Sequence, residues 1–227
     1  MRILIINPNS SPSMTQAIDQ IAQSFALGRF EVVTLPTPGA SPFVVSFEDY
    51  ARSMPGMVQL LKENYAAFDG FVVACHSDPN LDLLKELSEK PVVGICEASV
   101  KIASMIGDTF SVVSPGKRSI PNKIDMVRHK YRMGGYLASV RAPEQAAMEG
   151  KDMKSLLLPV AKKAVEEDGA EVIVLGCAGF AGLDKELEAE LKVPVLDGTV
   201  CALMVLEGLI RYGLGISKRC RFRPNQG

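Results

Sequence analysis

The sequence has no excess of charge of either sign, no apolar run of membrane length, no Cys-x-x-Cys pair and only two histidines. Each lack removes a class of function. Lys plus Arg number 25 against 26 Asp plus Glu, a net charge of -1, so there is neither a basic field for nucleic acid nor an acidic tail. A small molecule is the expected partner. The most apolar stretch, residues 200–210, is interrupted by Glu207 and falls short of the roughly 18 residues that span a bilayer, so no membrane is expected. Strand-like residues begin at Arg2-Ile3 without a charged leader or cleavage site, which predicts a cytoplasmic protein. Five cysteines, an odd number in such a chain, are expected as free thiols, and with only His76 and His129 beside them no metal set is expected.

What is present is a regular alternation of apolar strands and helices. Residues 2–6 read as a buried strand ending at the polar corner Asn7-Pro8-Asn9-Ser10. A helix follows, with Ser13 as N-cap, Ile18, Ile21, Ala22 and Phe25 as its stripe and Gly28 as its stop. Residues 30–35 form a second strand, and residues 36–46, with three prolines and Phe43-Val44-Val45, read as a lid or pocket wall. Further helices are expected over 50–67, 79–89, 97–106, 117–131 and 151–167, and strands over 71–74, 91–95, 110–113 and 171–175. The segment around Gly134-Gly135 reads as irregular.

The pattern occurs twice. Asn7 precedes Cys75 by 68 positions and Ser114 precedes Cys177 by 63, while Cys75 precedes Pro91 by 16 and Cys177 precedes Pro194 by 17. An internal duplication follows. The expected fold is α/β, with two similar lobes of parallel sheet flanked by helices and related by a pseudo-two-fold axis, residues 1–96 plus 205–227 forming the first and 97–204 the second. Ligands of such sheets bind beyond the C-terminal strand ends, where both Cys75 and Cys177 stand, so the active site is expected between the lobes.

Two thiols on opposite sides of one substrate suit inversion of a stereocentre next to a carbonyl. One removes the Cα proton and the other returns a proton to the opposite face. A free thiol has a pKa near ~8.5, lowered at a helix N-terminus, so thiol and thiolate can coexist near neutrality and exchange roles. The enolate needs donors, and the small residues Gly176, Ala178 and Gly179 beside Cys177, with Ser77 after Cys75, leave backbone N–H groups accessible. This scheme requires no metal and no organic cofactor.

Asn7-Pro8-Asn9-Ser10, Ala74-Cys75-x-x-Asp78-Pro79, Pro91-Val92-Val93-Gly94-Ile95 with Glu97-Ala98, and Val174-Leu175-Gly176-Cys177-Ala178-Gly179 together resemble the hydantoin racemase family. That family includes allantoin racemases and belongs to the aspartate/glutamate racemase superfamily. The resemblance covers nearly the whole chain. It implies two α/β lobes, cofactor-independent racemisation of 5-substituted hydantoins or allantoin, Cys75 and Cys177 as acid and base, and a homo-oligomer. His76-Ser77 stand where the family usually has an aromatic residue and then a glycine or acidic residue, Asn80 where glycine is frequent and Phe180 where methionine is.

Each site residue also has a plainer reading. Cysteine is among the most buried residue types, and Cys96, Cys201 and Cys220, without a matching pattern, are read as structural. His76 invites a Cys-His dyad, but neighbours leaving a strand point to opposite sides, so it is read as a polar pocket wall or as plain packing or surface. His129 is read as solvated. Asn9 and Ser10 either hold the substrate's amide groups or make the turn, with the resemblance raising binding for Asn9; Ser114 is the counterpart of Asn7. Asp78 either orients the loop after Cys75 or, the safer reading, caps the helix at Pro79. Two other functions stay open: an acyclic aspartate/glutamate-type racemase or maleate-type isomerase on the same site, and a two-lobed ligand sensor without catalysis. A dicarboxylate would want cationic anchors, which the motif segments lack.

Overall fold

The computed structural model describes residues 1–147 and 152–225. The chain divides into two compact units, Met1–Ile95 with Ala202–Gly227, and Cys96–Cys201.

The first unit holds strands β1 (Arg2–Asn7), β2 (Glu31–Pro36), β3 (Gly70–Val73) and β4 (Val92–Gly94) in one sheet of order β2-β1-β3-β4. Every pairing is parallel. The central strands β1 and β3 carry continuous apolar runs because both faces are covered, residues 3–6 of β1 being fully buried, whereas the edge strand β2 is only partly buried. The helices are α1 (Pro12–Ala26), α2 (Phe47–Asn64) and α3 (Leu81–Leu87). Leu4, Ile6, Phe71 and Val73 pack with Met57, Leu61 and Leu84 into one core.

The second unit repeats this plan. Strands β5 (Phe110–Val113), β6 (Leu137–Arg141), β7 (Val172–Leu175) and β8 (Val195–Leu196) form a parallel sheet of order β6-β5-β7-β8, the same order relative to the chain. Helices α4 (Ile95–Ile106), α5 (Ile120–Asp125), α6 (Met153–Glu166) and α7 (Asp184–Leu191) accompany it. Its two faces carry separate cores, Ile173 and Leu175 packing with Leu157, Ala161 and Leu187 on one side, and Phe110, Val112 and Val174 with Val100, Ala103 and Val127 on the other. The last helix, α8 (Gly198–Tyr212), contains the boundary at Cys201 and Ala202.

Several expectations are corrected. β6 occupies the stretch read as irregular beyond Gly135; it is an edge strand, half-buried throughout, and Leu-Ala-Ser-Val-Arg lacks the apolar run of a central strand. Ser11, not Ser13, caps α1, its hydroxyl accepting from Met14 N–H. Ile18, Ala22 and Ala26 form the buried stripe, with Ile21 and Phe25 at its margin. The helix expected over 117–131 is a 3-10 turn at Lys117–Ser119, then α5, then a π turn at Met126–Lys130. Cys96, two residues beyond β4, is the second residue of α4 and lies in the core. Lys151, at the expected start of the long helix, lies outside the described residues. Among the described residues no helix is long and apolar enough to cross a membrane.

Candidate active site

In the first unit, the loops that leave the C-terminal ends of β1, β2 and β3 are stitched together. The Asn7 carbonyl accepts from both the Thr37 N–H (3.0 Å) and the Thr37 hydroxyl (2.7 Å), joining the β1 and β2 ends. Ser10 N–H donates to Ser41 O at 3.1 Å, holding the loop of Phe43 to the Asn-rich turn. The Asp49 carboxylate secures the same loop from α2: it accepts from the Ser41 hydroxyl (2.8 Å), Val45 N–H (3.1 Å), and the Ser46 N–H (3.0 Å) and hydroxyl (2.7 Å). Ser46 and Asp49 are also the reciprocal cap of α2. The Ser46 hydroxyl bond, foremost, and the other donors hold the Asp49 carboxyl down to about 2. Phe43 is 47% exposed on this fastened loop.

Asn9 is buried and works in the turn. Its side-chain oxygen accepts from Asn7 Nδ2 and Ser11 N–H, each at 2.9 Å, and its nitrogen meets Met14 Sδ at 2.9 Å. Ser10 is half-buried beside it.

Cys75 follows β3 by two residues, with Ala74 N–H donating to Ile6 O at 2.9 Å. Exposure alternates beyond it: Cys75 and Ser77 are partly open, His76 and Asp78 are buried, His76 to 1%. Cys75 Sγ lies 3.1 Å from Ser77 Oγ. A hydroxyl accepts from a thiol and donates to a thiolate, so Ser77 can serve either state of Cys75. Asp78 takes a left-handed backbone, φ 41°, with its N–H on the Cys75 carbonyl at 2.8 Å. It does not cap a helix at Pro79, because α3 begins at Leu81 with Asn80, itself left-handed at φ 57°, as its cap residue. Asn80 Nδ2 instead donates to Tyr50 O (2.9 Å) and Ser53 Oγ (3.2 Å), tying the loop's end to α2.

The second unit repeats the arrangement with different chemistry. Cys177 follows β7 by two residues and is partly open. Gly179 N–H, expected as an enolate donor, is directed at Cys177 Sγ, 3.4 Å away. An amide N–H only donates, so it favours the thiolate. Ala178 is buried and Gly179 exposed in the 3-10 turn Ala178–Phe180. Ser114 is buried at the end of β5; its N–H donates to Arg141 O at 2.7 Å and its hydroxyl pairs with that of Ser119.

The remaining cysteines stand apart from this chemistry. Cys201 lies in α8, where burial, above the nearby Asp197, pushes its thiol up to about 12. Cys96 is buried and Cys220 exposed. His129 is solvated and meets Asp125 at 2.8 Å.

Sequence reasoning missed three contributors. The Asp49 tie was readable as a Ser-x-x-acid cap before an apolar helix. Asp197 belongs to no chemical motif, yet its buried carboxylate accepts from three N–H groups at the start of α8 and in the Cys177 loop. Thr199 beside it has a buried hydroxyl with no hydrogen-bond partner among the described residues, which no local pattern announces.

Comparison with known proteins agrees with this architecture. The sequence model of the Asp/Glu/Hydantoin racemase family matches residues 3–206. A hydantoin racemase of Paenarthrobacter aurescens is 36% identical over 225 residues, covering 96% of this chain and 94% of that one. The structure of an allantoin racemase from Klebsiella pneumoniae superposes with a TM-score of 0.94 at 31% identity, over 100% of this chain and 94% of that one. A maleate isomerase of Pseudomonas putida S16, 20% identical and covering 94% of this chain and 93% of that one, has a TM-score of 0.72, a likeness of fold alone. The chain belongs to the Asp/Glu/hydantoin racemase family and is an isomerase of the racemase type.

Proposed function

We propose that the protein racemises a 5-substituted hydantoin or a related cyclic ureide such as allantoin, with Cys75 and Cys177 as the alternating base and acid. The observation that carries this reading is the repeated cysteine. Each unit places one partly open thiol two residues beyond its third strand, and each thiol has a hydrogen-bonding group beside its sulfur.

In one direction the Cys177 thiolate, favoured by the Gly179 N–H, takes the C5 proton. The Cys75 thiol, in contact with Ser77, returns a proton to the opposite face. The reverse reaction exchanges the roles, and Ser77, able to donate or accept, suits both. The intermediate is an enolate whose oxygen needs N–H or amide donors. Asn9 is the candidate in the first unit, since its Nδ2 faces only a weak thioether acceptor in Met14. Ser10, Ser77, Asp78, Ser114 and the Ala178 backbone are the further candidates for substrate contact, with His76 and Phe43 setting side-chain preference. The loops after β1, β2, β3 and β7 carry no Lys or Arg over residues 8–11, 37–46, 75–80 and 177–182, which suits an uncharged ring over a dicarboxylate; the loop after β5 holds exposed Lys117, paired with Glu144, and exposed Arg118. The reaction so described uses no cofactor; the relatives' names support the substrate class. Cytoplasmic location and assembly into a homo-oligomer remain part of the proposal.

The test is decay of optical rotation from single enantiomers of hydantoins, of allantoin and of free amino acids in D2O, with deuterium entering the stereocentre. Cys75→Ser and Cys177→Ser are each expected to lose about a hundredfold or more, the scale of one acid or base group. Wild-type rates in both variants would refute the two-cysteine mechanism, and a ligand bound without proton exchange would favour a sensor.

A further inference from the structure

We propose that Asp197 is a positioning residue for Cys177, one carboxylate oxygen capping α8 while the other anchors the far end of the cysteine loop. The proposal rests on the reading of Cys177 as an acid/base group. Asp197 follows β8 and is almost wholly buried. Its two oxygens face different elements. Oδ1 accepts from Thr199 N–H (2.7 Å) and Val200 N–H (3.3 Å), the first turn of α8, while Oδ2 accepts from Gly182 N–H at 3.2 Å. Burial pushes its carboxyl up, against three N–H donors that favour the charged form.

Gly182 closes the loop that begins at Cys177. The near end is fixed where Gly176 N–H donates to Val113 O at 2.8 Å. Between the two ends the chain makes tight turns, Phe180 N–H to Cys177 O (3.1 Å), Ala181 N–H to Ala178 O (3.2 Å) and Leu183 N–H to Phe180 O (3.2 Å). Gly182 has φ 85°, a left-handed conformation that favours glycine and turns its N–H to the carboxylate. With both ends held, the Gly179 N–H stays on the Cys177 sulfur. Without the Asp197 bond the far end keeps only its turn bonds and the packing of Phe180 and Leu183, and the Gly179 N–H is held less firmly on the sulfur.

The division of labour between the two oxygens makes the idea testable. In Asp197→Asn the amide oxygen can keep the two α8 donors, while its NH2 group confronts the Gly182 N–H, donor against donor. Asp197→Ser keeps a capping hydroxyl and leaves Gly182 without a partner, and Asp197→Ala removes both bonds. Native thiols are alkylated with iodoacetamide at pH 7 and quantified by peptide mass spectrometry, with exposed Cys220 as internal control. Cys177 labelling is expected to fall about tenfold in the Asn and Ser variants, the effect of one hydrogen bond to a charged group. Cys75 and Cys220 labelling should not change, and kcat for racemisation should fall with little change in KM. Unchanged Cys177 labelling in both variants would overturn the proposal. So would a loss of thermal stability confined to Asp197→Ala with kcat unchanged in the Asn and Ser variants, which would make the residue a structural cap. Labelling needs no substrate, so a failed racemase reading would show as absent turnover in the wild type with the labelling difference intact.

Discussion

Gly94 leaves room for the Asp78 carboxylate: a Cβ built on Gly94 would overlap its Cγ and both oxygens. Val73, two residues before Cys75, pairs with Gly94. In the second sheet Val174 pairs with Leu196, so Asp197 falls one step on, level with Leu175, two residues before Cys177. The corresponding strand ends thus carry glycine in one unit and aspartate in the other. In the first, the acid comes from the cysteine loop and enters the space at the strand end; in the second, it comes from the strand end and reaches into the cysteine loop.

Gly94→Ala should therefore push Asp78 out of place and disturb Cys75 more than Cys177. A loss of about 1–3 kcal/mol is expected for a methyl forced into filled space. Thermal melts and separate alkylation rates for the two thiols check it; a variant as stable as the wild type, with Cys75 unchanged, would contradict the geometry.

Asp49→Ala should release the Phe43 loop and the cap of α2 together, at a cost of about 1–2 kcal/mol. Its kinetic signature should be a raised KM for the substrate with a smaller change in kcat, since the loop is a candidate pocket wall and carries neither cysteine. The pH dependence has a definite sign. The folded carboxyl is held at about 2, below its unfolded value, so its contribution is complete above the unfolded pKa and lost as pH falls towards about 2. Urea melts of wild type and Asp49→Ala should converge in that acid window and differ fully at pH 7.

The five thiols should separate by accessibility in native labelling at pH 8. Cys220, Cys75 and Cys177 are expected to react, and Cys96 and Cys201 to react only after unfolding. The Cys201 thiol, pushed up to about 12, also destabilises the fold in alkali. The unfolded chain gives up this proton at lower pH than the folded one, so the stabilisation is full below the unfolded pKa and declines as pH rises towards 12. Cys201→Ala should remove that part of the alkaline slope in melts between pH 8 and pH 11.

Arg141→Met should loosen the edge of the second sheet. The guanidinium binds Asp168 through two nitrogens, at 2.5 and 2.7 Å, and Glu167 at 2.7 Å, and the pair is partly shielded from water. A loss of about 1 kcal/mol is expected, reduced by added salt, since partly exposed pairs are screened. Melts at low and high ionic strength measure both; the same loss at every salt concentration would assign the effect to packing of the Arg141 stem.

The central strands were legible because parallel sheets covered on both faces demand unbroken apolar runs, as in Ile3-Leu4-Ile5-Ile6 and Val172-Ile173-Val174-Leu175. The positions of Cys75 and Cys177 were legible for the same reason, since each stands where such a run stops. β6 was not, because an edge strand is half solvated and needs no such run. The cap of α3 was misread because the helix begins at Leu81, two residues beyond Pro79, so Asn80 and not Asp78 stands at its N-cap.

By itself, the sequence determined the alternation of strands and helices, the duplication and the positions of the two thiols. These follow from local apolar periodicity and from turn residues, which act over a few neighbours. Only the tertiary structure decided which group accompanies each sulfur, that Asp78 fills the space Gly94 leaves, and that Asp197 reaches Gly182. Those relations join residues on different strands, where hydrogen bonding and excluded volume depend on register that no local pattern encodes.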